Sequence, residues 1–279
     1  MHTSPQYRFV TFADGSGIWA RSARRLARQA EATGWFSQVE IYNLARIESE
    51  NPEWARVNRE FIESNRRGFG YWIWKPEVVR LQLAQLTVRE SGVFYVDAGC
   101  SLNDNDAASK RFLDYVEMAQ RLHGLFFRLG KEHLGRRWIK LATLHYFEKT
   151  NNVELKSTQL CVAGIFAISK SSQGLELLEK WSELMTLQEG NLLLDAAPGE
   201  TQLHEFIEHR HDQSILTGLI EKSAFAILDD ETYFEGSWKG RALNYPIWAT
   251  RLRSGFSSTS TSAIWKAVRK VERSLYGRE

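Results

Sequence analysis

Acidic side chains follow two segments of this sequence that are rich in strand-forming residues. Asp14 ends "YRFVTFAD" and is followed by "GSG", and Asp97 ends "VFYVD" and is followed by Ala98 and Gly99. Open α/β sheets bind ligands at the carboxyl ends of their strands. A carboxylate there can accept a hydrogen bond from a sugar or ribose hydroxyl, or hold a divalent cation. Asp and Gly are also ordinary turn residues, so these residues alone leave a plain turn equally open.

The segment "GFGYWIWKP" (68–76) concentrates special residues in nine positions. Trp72 and Trp74 alternate about an isoleucine, and Lys75 precedes Pro76. The proline biases Lys75 towards an extended conformation. A lysine beside two large aromatic rings suits a phosphate or diphosphate with a stacked ring nearby. The alternative is a core tryptophan cluster with a solvated lysine, and the density of special residues favours ligand binding.

A third polar cluster, "EHRHDQSIL" (208–216), lies late in the chain. Its polar residues are followed by apolar ones, which predicts a loop and then a new helix. The carboxylate of Asp212, the amide of Gln213 and the nearby imidazoles could orient an acceptor hydroxyl or take its proton. The two histidines are two residues apart, which is not a helical spacing for metal ligands. The alternative is a helix cap within a solvated charge cluster.

Strand-like and helical segments alternate along the chain. Strands are predicted at 7–15, 36–44, 93–97, 124–129, 157–169 and 224–234. Helices are predicted at 22–34, 51–66, 77–90, 107–122, 136–148, 172–189 and 201–221. This alternation predicts an α/β sandwich with an at least partly parallel sheet, whose strand ends would bring the polar clusters together.

Composition sets the outer bounds. The 279 residues fit one large domain, or one domain with a small appendage. The formal net charge of +2 demands neither a nucleic-acid nor a membrane partner. Two cysteines argue against a disulfide framework and against a zinc site. The first residues lack the apolar region of a signal peptide and no apolar run could span a bilayer, so the sequence predicts a cytoplasmic protein.

Basic residues form two further features. Arg21, Arg24, Arg25 and Arg28 recur at helical spacing, which predicts a solvated basic face without a site role. An RNA-binding protein that stacks bases on tryptophan and arginine is a rival interpretation. The near-zero net charge and the lack of a dominant basic block argue against it.

The C-terminal tail differs from the rest of the chain. Residues 254–262, "SGFSSTSTS", are typical of a linker. The helix predicted after them carries apolar residues on one face and basic residues on the others, namely Ile264, Val268, Val271 and Leu275 against Lys266, Arg269, Lys270 and Arg273. Such a helix could lie on an anionic bilayer or pack on the domain with its charges in water.

Taken together, "FADG", "GFGYWIWKP", "FYVDAGCSLN" and "HDQSIL" resemble the motifs of bacterial glycosyltransferases of the GT-A fold. The likeness is strongest to the small enzymes encoded in capsule and lipopolysaccharide O-antigen clusters, and it covers roughly residues 7 to 250. It implies a GT-A-like (Rossmann-like) α/β/α sandwich with a mixed, mainly parallel sheet over residues 1–253. The tail, 254–279, would be the linker and the basic amphipathic helix.

On the donor side, the resemblance implies a nucleotide-sugar bound near the first strand and the glycine corner. Asp14 would lie near the base, and Trp74 and Lys75 would face the diphosphate. Asp97 matches the first carboxylate of an Asp-x-Asp site, which in related families holds Mn²⁺ or Mg²⁺. Gly99 stands where that pattern has its second carboxylate, so Asp97 would be the metal ligand.

On the acceptor side, Asp212 and Gln213 match an Asp-Gln pair that serves as base or positions substrate. The acceptor would be the hydroxyl of a glycan or of a lipid-linked glycan, in surface polysaccharide synthesis and without a nucleic-acid partner. The tail helix would give peripheral contact with the inner membrane. The main alternative is a non-catalytic nucleotide- or glycan-binding protein on the same scaffold, since the second metal carboxylate is missing.

Overall fold

A computed structural model of the chain describes residues 6–15, 17–234 and 239–252. The tail at 254–279, with its predicted linker and membrane-binding helix, lies outside these residues. Within them, every helix is too short or too polar to traverse a bilayer. The strands are β1 (Gln6–Phe12), β2 (Phe36–Tyr42), β3 (Glu90–Val96), β4 (Ser101–Leu102), β5 (Gly124–Arg128), β6 (Ile165–Ser169), β7 (Ala226–Asp229) and β8 (Ile247–Trp248).

Helices connect most of these strands. They are α1 (Ile18–Thr33), α2 (Leu44–Glu50), α3 (Pro52–Ser64), α4 (Gly68–Tyr71), α5 (Trp74–Ala84), α6 (Asp106–Arg121), α7 (Gly135–Trp138), α8 (Leu141–Asn151), α9 (Ser172–Thr186) and α10 (His211–Ile220). Two 3₁₀ turns, Leu187–Gly190 and Arg241–Asn244, complete the described part. Several helix starts are capped by side chains: those of Asn43, Asn51, Asn105 and Ser171 accept backbone N–H groups of α2, α3, α6 and α9.

Six strands form the main sheet in the order β2-β1-β3-β6-β5-β7. Strand β6 runs antiparallel to its neighbours β3 and β5, and the other paired strands run parallel. The parallel strands therefore share one carboxyl edge, where Asp14 and Asp97 follow β1 and β3.

Each face of the sheet carries its own hydrophobic core, because successive strand residues point to opposite faces. Phe9 packs on one face with Leu26 of α1 and Phe112 of α6. Val10, its neighbour in β1, packs on the other face with Val78 of α5 and with residues of α8, α9 and α10. This arrangement confirms the expected α/β/α sandwich with a mixed, mainly parallel sheet.

A second, two-stranded sheet brings the end of the described chain onto the turn after Asp97. Strand β4 pairs with β8 in antiparallel register, so that Ser101 lies opposite Trp248. The backbone N–H of Asn103 donates to the carbonyl of Pro246 at 2.9 Å. Residues near 250 therefore lie at the carboxyl edge of the main sheet, beside residues about 150 positions earlier in the chain.

The predicted helix at 201–221 is wrong over its first half. Helix α10 begins at His211, and residues 201–210 are neither helix nor strand. The backbone N–H groups of Ile207 and Arg210 donate to the carbonyls of Arg137 and Trp138, at 2.8 and 3.0 Å. These long-range bonds satisfy the backbone and outweigh the local preference of the segment.

Two other expectations are corrected. The strand predicted at 157–169 is regular only at its end, in β6, while Gln159 and Cys161 form isolated bridges with Leu134 and Arg128. The basic face of α1 is not wholly solvated. Arg25 is 2% exposed, because its side chain turns inward to hydrogen-bond the turn after Asp97.

Candidate functional site

Three charged side chains from separate motifs meet at the carboxyl edge of the sheet. Asp97 directly follows the central strand β3, Lys75 lies in the first turn of α5, and Asp212 lies in the first turn of α10. The ammonium of Lys75 donates to Asp212 Oδ2 at 2.9 Å and to the carbonyl of Ala163 at 2.9 Å. The same nitrogen lies 3.6 Å from Asp97 Oδ1. Lys75 therefore stands between two carboxylates.

The two carboxylates differ in their access to water. The side chains of Lys75 and Asp212 are 3% and 8% exposed, whereas that of Asp97 is 43% exposed. Burial alone would lower the pKa of Lys75, but the charges of Asp212 and Asp97 raise it above its usual value. Burial raises the pKa of Asp212, and the charge of Lys75 opposes that rise. Lys75 is thus a fixed cation. Of the two carboxylates beside it, Asp97 is the one that a substrate can reach.

The position of Asp97 is fixed from several sides. Its Oδ1 accepts the hydroxyl of Tyr95 at 2.6 Å, and its backbone N–H donates to the carbonyl of Gly164 at 2.8 Å. Burial, together with the charge of Asp97, raises the pKa of Tyr95 well above its ordinary value, so Tyr95 remains a donor. A Cβ atom at Gly164 would lie 2.5 Å from Asp97 Oδ2, so only glycine leaves room for the carboxylate.

The alternation of the strand could have identified Tyr95 as a partner of Asp97. Residues two apart in a strand project to the same face, which puts the tyrosine hydroxyl and the carboxylate side by side. Nothing in the sequence distinguishes Gly164 from a glycine that merely precedes a strand. The importance of Gly164 follows only from the structure, in which the start of β6 lies beside the end of β3.

Lys75 is not held extended by Pro76, as the sequence analysis expected. Both residues belong to the first turn of α5. A proline costs nothing there, since the backbone N–H groups of a first turn have no partner within the helix. The helix carries Lys75 inward, so its ammonium is buried against Asp212 rather than solvated.

Trp74 is a buried packing residue at this edge. Its ring stacks on Phe12 with the centroids 3.6 Å apart, and its indole N–H donates to the carbonyl of Gly68 at 3.0 Å. Phe12 belongs to β1, so the stack ties the corner to the strand that precedes Asp14. Contact between Trp74 and a ligand stays a prediction, and the contacts observed place it as a support for Lys75.

The corner before Lys75 is a left-handed turn. Its φ angles are all positive, at 57°, 54°, 86°, 50° and 64° for Gly68, Phe69, Gly70, Tyr71 and Trp72. Left-handed backbone costs roughly 1–2 kcal/mol for each residue that carries a Cβ atom, and the two glycines escape that cost. Strain of this kind collects at functional sites, where surrounding structure enforces it. Here the turn sets the direction in which α5, and hence Lys75, enters the crevice.

On the predicted acceptor side, Asp212 and Gln213 are both engaged within the protein. The side-chain amide of Gln213 donates to the carbonyl of Cys161. The carbonyl of Asp212 accepts the indole N–H of Trp181 at 3.2 Å, and its carboxylate is held by Lys75. Asp212 therefore supports Lys75 in this geometry, and its action as a general base stays a prediction.

Asp14 caps the helix that follows the second strand. Its Oδ2 accepts the backbone N–H of Leu44, the first residue of α2, at 2.7 Å. The carboxylate also accepts the N–H of Gly15. Asp14 remains partly exposed at the carboxyl end of β1, and its contact with a base or ribose stays a prediction.

A further polar cluster beside the corner was missed by the sequence analysis. Asp195 accepts the hydroxyl of Tyr71 at 2.7 Å and the guanidinium of Arg67 at 3.1 Å. The Nε2 atom of His211 lies 3.6 Å from Asp195 Oδ1, and its Nδ1 atom hydrogen-bonds the carbonyl of Leu193 at 2.8 Å. Burial lowers the pKa of His211 to about 4, so the ring is neutral. The cluster fastens the irregular segment 191–210 to the left-handed corner, a contact that no local pattern encodes.

The residues around Asp97 do not fit a divalent metal. A Cβ atom at Gly99 would lie 3.4 Å from the Cα of Arg251, and Gly99 accepts the backbone N–H of Leu252 at 2.8 Å. Glycine at this position supplies no side-chain ligand, so the second carboxylate of an Asp-x-Asp site is missing. Within the described ranges, no group of three or more His, Cys, Asp or Glu side chains could hold a metal ion. The ammonium of Lys75, 3.6 Å from Asp97 Oδ1, also opposes a further cation there, and the role of Asp97 as a ligand of Mn²⁺ or Mg²⁺ stays a prediction.

A cavity of about 320 Å³ lies elsewhere, between α3, α5 and α9. It is lined by Asn51, Trp54, Pro76, Glu77, Arg80, Leu178, Glu179, Ser182, Glu183 and Thr186. None of the site residues proposed from the sequence lines it, so the convergence of charged groups at the strand ends, and not cavity size, marks the candidate site.

No protein-family model and no curated protein matches this chain. Three solved structures are similar at 9% identity. Mouse xyloside xylosyltransferase 1, in its apo form, has a TM-score of 0.46, with 82% of this chain and 87% of the other covered. A glycosyltransferase involved in glycosylation of the major capsid of PBCV-1 has a TM-score of 0.46, with 95% and 100% covered.

The third is 4-diphosphocytidyl-2C-methyl-D-erythritol synthase from Anaerococcus prevotii, with a TM-score of 0.39 and 97% and 100% covered. Likenesses of this size do not bear on the reaction of this chain, which has to be argued from its own site.

Proposed function

We propose that this chain is a glycosyltransferase that moves a sugar from a nucleotide-sugar donor to a hydroxyl of an acceptor, on a GT-A-like scaffold. The observation that supports it most is the 3.6 Å approach of Lys75 to Asp97. The two residues are 22 positions apart (97 − 75) and belong to the two motifs on which the resemblance rests. They meet at the carboxyl edge of a mainly parallel sheet, and such folds bind their ligands at that edge.

The proposal extends to the finer expectations of the sequence. The acceptor would be a glycan or a lipid-linked glycan in the synthesis of a surface polysaccharide of the capsule or O-antigen type. The protein would act in the cytoplasm, and its tail would touch the inner membrane. The acceptor class and the polysaccharide rest on the motif resemblance, and the location and membrane contact rest on the sequence patterns described above.

The chemistry needs two things from the protein. The bond between the anomeric carbon and the diphosphate oxygen breaks, and a bond from that carbon to the acceptor oxygen forms while the acceptor hydroxyl loses its proton. Positive charge must stabilise the departing diphosphate. A positioned carboxylate can orient the acceptor or a sugar hydroxyl and can take the proton, which contributes typically ~10²–10⁴-fold.

Asp97 is the carboxylate in reach of a substrate, and Tyr95 and Gly164 fix its direction. The ammonium of Lys75 lies 3.6 Å from Asp97 Oδ1, and Asp212 keeps Lys75 in place. The residues around Asp97 do not fit Mn²⁺ or Mg²⁺, so no step is assigned to a metal.

The test is a panel of nucleotide-sugars, with release of nucleotide measured in the absence and presence of simple glycan acceptors. We expect turnover of at least one donor. Asp97→Asn should lower it by about 10²–10⁴-fold, whereas Asp104→Asn, on an exposed residue between β4 and α6, should leave it unchanged. Equal turnover in the Asp97 and Asp104 variants would contradict the proposal.

A second candidate is a non-catalytic nucleotide- or glycan-binding protein. The glycine at position 99 favours it, since the usual second carboxylate is absent. It predicts ligand binding without any donor cleavage. Ligand-induced stabilisation follows mass action, so the same panel in a thermal-shift assay detects binding even where turnover is zero.

A further inference from the structure

A buried arginine lies beneath the turn that follows Asp97. The guanidinium of Arg25 donates to the hydroxyl of Ser101 at 2.8 Å and to the carbonyls of Ala98 and Cys100 at 3.0 and 2.7 Å. Its Nε has no hydrogen-bond partner. Among the residues that the structure describes, no carboxylate lies within 4.0 Å of it. Arg25 therefore binds the turn through carbonyl dipoles and carries a charge that no acid neutralises.

A buried charge without a counter-charge is costly, by several kcal/mol for a charged side chain. Burial lowers the pKa of Arg25 to about 10, which still leaves it protonated at neutral pH. The positive charge beneath the turn is therefore a feature that needs an explanation beyond packing.

The backbone of a second arginine lies against the same turn. The Arg251 Cα lies 3.4 Å from a Cβ atom built on Gly99, and the next backbone N–H, of Leu252, donates to the Gly99 carbonyl at 2.8 Å. Arg251 has a φ of 51°, a strained value for a residue with a side chain. Its guanidinium lies 5.4 Å from the centre of the Tyr233 ring. The side chain is exposed, and in the described part of the chain no carboxylate pairs with it.

The charges of both arginines converge on the turn. Burial raises the pKa of the Cys100 thiol well above its usual range, and Asp97 adds to the rise, while Arg25, Lys75 and Arg251 oppose it. Lys75 is already paired with Asp212, whereas no carboxylate within 4.0 Å pairs with Arg25 or Arg251 in the described part of the chain. Two positive charges without such a partner favour an anion, and not another cation, as the ligand.

We infer that the turn from Asp97 to Ser101, flanked by Arg25 and Arg251, is a metal-independent site for the diphosphate of a nucleotide. This inference rests on the proposed function and adds how the leaving group is held. Arg251 supplies the exposed guanidinium, whose planar fork matches phosphate oxygens. Arg25 supplies fixed charge from beneath the turn. The two arginines take the place of the divalent cation that an Asp-x-Asp site would hold.

The test is calorimetric titration of the full chain with UDP, GDP, ADP, CDP and dTDP, each in buffer with EDTA and in buffer with Mn²⁺. We expect at least one diphosphate to bind in EDTA, with a Kd within about threefold of its value in Mn²⁺. Arg251→Gly should raise that Kd by about 10- to 100-fold, the range for loss of a charged hydrogen bond. Glycine adopts the φ of residue 251 freely, so this variant should melt no lower than the wild type.

The matched control is Arg89→Gly, since Arg89 is an exposed turn arginine just before β3, at the opposite end of that strand. It should bind the diphosphate as the wild type does. Binding only in the presence of Mn²⁺ would overturn the inference and leave the proposed function standing. Binding in EDTA that Arg251→Gly does not weaken would also overturn it. A protein that binds no diphosphate in either buffer would contradict the inference and the proposed function together.

Discussion

Two buried ion pairs lie at opposite ends of the central strands, and they are completed in different ways. Where β1 and β3 begin, Arg8 grips Glu90 through two bonds of 2.8 and 2.9 Å, and both side chains are almost fully buried. Glu90 also accepts hydrogen bonds from Ser37 and from Thr87. Where the strands end, Lys75 grips the buried Asp212 but also approaches Asp97, whose carboxylate remains open to solvent.

The difference separates a structural ion pair from a site. Every oxygen of Glu90 is used within the protein, so nothing there is left to bind a ligand. Lys75 is shared between two carboxylates, and one of the two keeps its capacity to bind. A run of five left-handed residues leads into Lys75, whereas β1, which carries Arg8, contains none. The accessible carboxylate and this run together distinguish the carboxyl edge from the structural ion pair.

The largest effect is expected from Lys75→Met. It would leave Asp212 buried without its partner, which costs about 3–5 kcal/mol for a broken buried pair, and it would also abolish donor turnover. The double variant Lys75→Met, Asp212→Leu should regain most of the lost stability but no activity, since the buried charge is then gone. Urea unfolding and turnover measured on the two variants check this. Activity in the double variant would contradict a functional role for the pair.

The approach of Lys75 to Asp97 could be expected from the sequence, but the geometry of that approach could not. Strand periodicity and the order of elements put Asp97 at a carboxyl edge, and the motif put Lys75 nearby. The inward direction of the Lys75 side chain depends on the left-handed corner. In that corner Phe69, Tyr71 and Trp72 adopt positive φ angles, which residues with a Cβ atom rarely do. The contacts of Asp195, Arg25 and Arg251 could not be predicted, because their partners are distant in sequence and no local pattern encodes such contacts.

For the Arg8–Glu90 pair at the opposite end of the strands, we expect a large effect on stability and none on turnover. The hydrogen bonds from Arg8, with those of Thr87 and Ser37, lower the pKa of Glu90 to about 2. A lowered carboxyl pKa stabilises the folded state above the unfolded pKa of about 4.5 and loses that effect as the pH falls towards 2. The shift corresponds to about 3 kcal/mol at neutral pH.

Urea unfolding of the wild type and of Glu90→Gln tests this pH dependence. The two unfolding free energies should differ by a constant amount above about pH 5 and should approach each other below about pH 4.5. Glu90→Gln should keep its turnover wherever it is folded. A gap that does not change with pH would show that the carboxylate charge of Glu90 is not what stabilises this end.

A smaller effect is expected from Gly164→Ala at the functional end. The new methyl group would displace the Asp97 carboxylate, which lies 2.5 Å from its position. A displacement of about 1 Å can cost 10²-fold in rate, so we expect turnover to fall by about 10- to 100-fold. The melting temperature should change little, because the carboxylate can swing into solvent. Wild-type turnover would mean that the direction of Asp97 does not matter.

The smallest effect is expected from relieving strain at the structural end. His123 has a φ of 63° just before β5 begins. His123→Gly should raise the unfolding free energy by roughly 0.5–1 kcal/mol, the strain relieved less the added backbone entropy, and should leave turnover unchanged. Phe69→Gly relieves similar strain in the corner but should lower turnover, because it loosens the approach to Lys75. Equal turnover in the two variants would remove the functional meaning of the strained corner.

The measurement that tests the central claim most directly compares Asp97→Asn with Glu90→Gln on the same donor and under the same unfolding conditions. The account predicts a crossed result. Asp97→Asn should lose donor turnover by at least about 10²-fold while its unfolding free energy stays within about 1 kcal/mol of the wild type. Glu90→Gln should lose stability and keep turnover. Wild-type turnover in Asp97→Asn would contradict the account.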